Sequence, residues 1–178
     1  MNADQLTPNL TDVRRFVDAI CGDDDPQWTT IPESATAPTT IIPIWRKWRA
    51  EDRSRWGRRE SVDLKPVPLM RTWTAPVDLA ASELMARNQA GAGIFLTVNR
   101  SSKPERRKAS DIDMVRALYV DLDGAPMTSE LEDSADVVTQ TSEGRWHAFW
   151  RVSVPLHDFA DRQRALIRRF GSDSAIHA

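Results

Sequence analysis

From Ala117 to Gly124 the chain reads Ala-Leu-Tyr-Val-Asp-Leu-Asp-Gly, an apolar run that ends in two aspartates one residue apart. Aliphatic, β-branched and aromatic residues in this density predict a strand over 114–121. Side chains alternate across a strand, so Asp121 and Asp123 fall on one face at the sheet edge, a few ångströms apart. Two like charges that close call for a cation. Mg²⁺ or Mn²⁺, held by one or two carboxylates together with substrate phosphates, answers that need. The competing reading is a strand closed by an Asp-Gly turn, in which aspartate serves local hydrogen bonding.

The rest of the chain supplies partners for this strand. Residues 93–99, Gly-Ile-Phe-Leu-Thr-Val-Asn, predict a strand before it, and 136–141 and 145–152 predict two after it, joined by the hairpin-length Ser142-Glu143-Gly144. In the last strand Trp146, Ala148, Trp150 and Val152 share one face, expected to pack. Arg145, His147, Phe149 and Arg151 share the other, expected to be wet and cationic. Apolar residues at helical spacing predict helices over 11–20, 76–90 and 158–170, each followed by glycine at 22, 91 or 171. Thr11 and Thr74 are the expected caps of the first two. Four prolines and three consecutive aspartates between 23 and 44 predict a linker without regular structure. The expectation is an α+β fold, a small, mainly antiparallel sheet flanked by helices, with an N-terminal helix over 1–22, a linker over 23–44 and one domain over 45–178.

Charge is distributed unevenly. Residues 1–44 carry seven acids and two bases, 45–110 seven acids and fifteen bases, and 111–178 twelve acids and seven bases. A protein that coats nucleic acid uniformly is excluded, whereas a basic middle beside an acidic site is not. The stretch 45–60 interleaves Trp45, Trp48 and Trp56 with Arg46, Arg49, Arg53, Arg55, Arg58 and Arg59, a composition that grips phosphates and stacks on bases. Equally, Trp45 and Trp48 at i, i+3 suit the buried stripe of a short helix with solvated arginines. The single Cys21 excludes an internal disulfide and any zinc site with two or more thiolates. No apolar run approaches the length of a membrane span, the first residues are polar and acidic, and a cytoplasmic location is expected.

Three chemistries can use the aspartate pair. An EF-hand loop starting at Asp121 needs glycine where Pro126 stands, so calcium binding of that type is excluded. A phosphatase of the haloacid dehalogenase kind also begins from an apolar strand ending in DxDG, but only 54 residues follow Gly124 and no lysine follows Lys108. The third is a polymerase or primase palm, with paired aspartates on metal and a separate basic element on the nucleotide. Arg145 and His147 on the neighbouring strand, with small polar Ser142 at the turn, suit the phosphates of a nucleotide.

Four segments in order, NQAGAGIFLTVN, VRALYVDLDGAP, TSEGRWHAFWRV and FADRQRALIRRFGSD, make residues 88–178 resemble the RepB-type replication primases of plasmids and phages, within the archaeo-eukaryotic primase superfamily. The resemblance covers about half the chain. It implies a primase-like palm in which Asp121 and Asp123 bind Mg²⁺ or Mn²⁺ and His147 contacts the nucleotide. The implied partners are a DNA template, nucleoside triphosphates and a replicative helicase. It also implies a third acidic ligand, followed by an Arg-Leu-Pro-Gly type strand, beyond a segment like GSDSAIH. The sequence ends at Ala178, which predicts either a C-terminally shortened chain or a ligand from elsewhere, Asp173 being nearest. A catalytically dead binding remnant of the same fold is the alternative.

Overall fold

The computed structural model describes residues 9–41, 66–105 and 108–172. Among these the protein is α+β, with four helices and small antiparallel sheets. The described residues divide into two compact units, one comprising 9–14, 25–41, 66–97 and 104–105, the other 15–24, 98–103 and 108–172.

In the first unit β1 (Gln27–Pro32) is the middle strand of a three-stranded sheet. It pairs antiparallel with β4 (Arg71–Thr74) and β5 (Ala92–Leu96), while β2 (Thr40–Ile41) pairs with β3 (Val67–Pro68). This corrects the expectation that 23–44 holds no regular element. Trp28, Thr29, Thr30 and Ile31 are strand formers, and the prolines bracket them: Pro26 precedes the strand and Pro32 ends it, where a missing N–H is tolerated. Residues 66–97, expected to belong with the palm, pack in this unit.

Helix α2 (Val77–Gln89) buries Val77, Ala80, Leu84 and Arg87, so the inward stripe turns away from Met85, which is exposed. Its N-cap is Pro76, with no side-chain cap, and Thr74 belongs to β4. Arg87 goes inward because its fork meets fixed acceptors. It donates to the carbonyls of Pro68 and Leu69, each at 2.7 Å, and pairs with Glu83 at 2.8 Å. Its guanidinium also lies over the Trp73 ring. Burial pushes the Arg87 pKa down and Glu83 opposes the shift.

The second unit is built on a sheet of order β8 (Ala117–Asp123), β10 (Arg145–Arg151), β9 (Val137–Ser142), all antiparallel. A short ribbon of β6 (Arg100–Ser101) and β7 (Ile112–Met114) precedes it. One face carries the core: Val120, Leu122 and Ala148 pack with Leu131 of α3 (Ser129–Ser134), and with Leu166 and Phe170 of α4 (Leu156–Phe170). Helix α3 was not anticipated; Thr128 caps it by accepting from the Leu131 N–H. Gly171, at φ +68°, ends α4 in the left-handed region that favours glycine.

Helix α1 (Leu10–Cys21) starts one residue earlier than expected, because Asn9 rather than Thr11 caps it. The Asn9 Oδ1 accepts from the Thr11 N–H at 3.0 Å. Phe16 meets Phe149 edge to face, with centroids 5.2 Å apart, and Phe149 stacks with Tyr119. The face of β10 expected to be wet is therefore covered at Phe149, which is 3% exposed, and open only at its two ends. Beyond α1, Asp24 accepts from Arg116 Nη2 at 2.9 Å, and that hydrogen bond holds its carboxyl below the usual range.

Candidate active site

The register of β8 against β10 sets Asp121 opposite His147, Asp123 opposite Arg145 and Tyr119 opposite Phe149. In an antiparallel sheet directly opposed residues project to the same face, so both carboxylates, the imidazole and the guanidinium form one patch. The outer N–H groups of Tyr119 and Asp121 bond to side chains outside the sheet, which makes these the non-hydrogen-bonded pairs. Pairs of that kind stand closest across the ladder. Asp123 Oδ1 lies 2.7 Å from Arg145 Nε, and Asp121 Oδ2 lies 3.4 Å from His147 Nε2. The patch is open to solvent: both side chains of the Asp121–His147 pair are 38% exposed, and those of Asp123 and Arg145 more than half.

Among the described residues the strand bearing the aspartates is an edge strand, and its outer edge is closed by side chains. Asn99 Oδ1 accepts from the N–H groups of Arg116 and Ala117. Gln163 of α4 accepts from the Tyr119 N–H at 3.2 Å and donates to the Tyr119 carbonyl at 2.5 Å. Ser172, just past the Gly171 turn, accepts from the Asp121 N–H at 3.0 Å and donates to its carbonyl at 2.9 Å. Gln163 and Ser172 each supply a donor and an acceptor to one residue, as a neighbouring strand would, so the edge offers no template for another chain there. Sequence reasoning missed Gln163 and Ser172. The only local hint was a glutamine on a helix face that otherwise packs.

On the other side of β10, His147 faces Thr139 of β9, and the register shifts between Arg145 and Trp146. A bulge of this kind re-aims the strand end, here at Arg145, beside the turn. The His147 ring meets Phe149 edge-on, with centroids 6.2 Å apart, and is less exposed than Arg145, at 38% against 60%.

Asp121 and Asp123 supply hard oxygen donors on one open face. That suits a magnesium-like ion bound by two carboxylates, with water and phosphate completing its shell. Among the described residues no group of three or more His, Cys, Asp or Glu gathers to hold a metal. Asp173, the nearest expected third ligand, lies outside the described residues, as do Arg46, Arg49, Arg53, Arg55, Arg58 and Arg59 and the side chain of Ser142. Among the described residues, no helix is long and apolar enough to cross a membrane. No family model, no curated protein and no solved structure matches this chain.

Proposed function

We propose that the chain carries a primase-type nucleotidyl-transfer site, joining nucleotides on a DNA template as part of the replication machinery of a mobile element. The observation that carries this reading is the patch itself. Paired aspartates on one strand face an imidazole and a guanidinium on the next, all on one open face beyond the aromatic plug. Asp121 and Asp123 would hold Mg²⁺ or Mn²⁺, which supplies charge neutralisation at the reacting phosphate when bound. Arg145 provides a fork matched to phosphate oxygens, and His147, held edge-on to Phe149, offers a ring nitrogen at a defined place. The aromatic cluster of Phe16, Tyr119 and Phe149 covers the middle of the face and leaves the strand end at Asp123 and Arg145 open to a ligand. The single cysteine, buried and unpaired, agrees with a cytoplasmic setting.

The test is incorporation of labelled nucleotide on single-stranded DNA by the full chain. We expect product that requires Mg²⁺ or Mn²⁺, with Asp121→Ala reducing it at least a hundredfold. Template and nucleotide binding without product would leave a binding remnant of the same fold. Phosphate release from a small phosphoester, with no template needed, would establish a phosphatase instead.

A further inference from the structure

The two acid–base pairs of the patch are unequal, and the inequality has a functional reading. Arg145 touches Asp123 at 2.7 Å yet is 60% exposed, while His147 stands 3.4 Å from Asp121 and is packed edge-on to Phe149. A long, solvated arginine re-rotates freely about its stem. The shorter imidazole, less exposed and in edge contact with a buried ring, has less freedom. We infer that Arg145 is an exchangeable counter-ion of Asp123: it neutralises the carboxylate when no divalent ion is bound, and is displaced onto the triphosphate when one binds. The inference rests on the proposed metal and nucleotide site and names how its two ligands are coupled.

The physical basis is competition at one carboxylate. Arg145 neutralises Asp123 and, standing so close, repels a second cation. A divalent ion at Asp123 therefore has to displace the guanidinium, which weakens metal binding in the absence of nucleotide. Once released, the fork has no carboxylate partner and is matched to phosphate oxygens. Nucleotide binding then keeps Arg145 away from Asp123 and favours the ion. Each ligand strengthens the other by the same factor, as linkage requires. The register shift places Arg145 at the strand end beside the turn, so the side chain can leave Asp123 without unpacking the sheet.

The probe is Mn²⁺ binding to the full chain, followed by electron paramagnetic resonance with and without a non-hydrolysable nucleoside triphosphate. We expect Arg145→Met to bind Mn²⁺ about tenfold more tightly than the wild type in the absence of nucleotide, and to bind triphosphate about tenfold more weakly. The mutual strengthening of the two ligands should collapse toward none. Arg145→Lys keeps the charge and loses the fork, so it should restore weak Mn²⁺ binding without restoring triphosphate affinity. If Mn²⁺ binding requires Asp123 but Arg145→Met does not tighten it, the exchange inference is overturned while the site reading stands. If Asp123→Asn leaves Mn²⁺ binding unchanged, the site reading falls and the inference with it.

Discussion

Replacing Gln163 with leucine tests whether side chains of α4 serve as the missing neighbour strand of β8. Gln163 is 2% exposed, and its amide meets both outward backbone groups of Tyr119. Leucine has nearly the same volume and keeps the packing, so the change isolates the two hydrogen bonds. Each is worth about 1 kcal/mol net, and leaving the part-buried N–H and C=O poorly solvated costs roughly a further 1 kcal/mol in all. The added apolar burial returns about 1 kcal/mol. The net expectation is a loss of about 2 kcal/mol, equivalent to roughly 30-fold in an opening equilibrium. Native-state hydrogen exchange of the full chain measures this at the residue concerned. The Tyr119 amide should exchange about 30-fold faster, while amides of β1 in the other unit keep their rates. The urea midpoint of the second unit should fall in parallel. A variant within about 0.5 kcal/mol of wild type, a typical tolerance for surface changes, with the Tyr119 amide still protected, would refute the strand-mimic reasoning.

Other outcomes follow from the same reasoning. Arg87→Met should destabilise the first unit by about 3 kcal/mol, because it removes the donor shared by two carbonyls and leaves partly buried Glu83 with Arg71 as its cation. Arg87→Lys should rescue little, since a point charge cannot serve both carbonyls and the carboxylate; urea unfolding of the three proteins checks both statements. The Asp24 carboxyl, held low by the Arg116 hydrogen bond, gives a contribution that is fully present above its unfolded pKa. That contribution is lost as pH falls through the lower folded value. Asp24→Asn should therefore flatten the acid limb of the stability profile below about pH 4 and leave its shape unchanged from pH 5 to 8. Equal acid limbs in the two proteins would show that the pair contributes nothing.

The patch was legible because its grammar is local. Alternation along 117–123 puts Asp121 and Asp123 on one face whatever surrounds them, and the hairpin-length Ser142-Glu143-Gly144 brings Arg145 and His147 into an adjacent strand. Which strand pairs with β8, and in what register, is decided by contacts across more than twenty residues. Three features escaped reading for that reason. Gln163 and Ser172 reach the backbone of β8 from 44 and 51 residues away. Phe16 closes half of a face that alternation alone marks as wet. A stretch counted as linker holds the middle strand of the first unit, because Gln27–Pro32 finds its partners at 71–74 and 92–96.

The sequence by itself determined the α+β class, the strand ending in two aspartates and the basic strand that follows the turn, since periodicity and turn chemistry are properties of neighbours along the chain. Only the tertiary structure decided that Asp123 stands 2.7 Å from a solvated arginine and Asp121 3.4 Å from a half-buried histidine. It also decided that side chains close the strand edge behind them. Those outcomes depend on distant segments competing for the same buried space and the same backbone hydrogen bonds, and no local window of residues contains that competition.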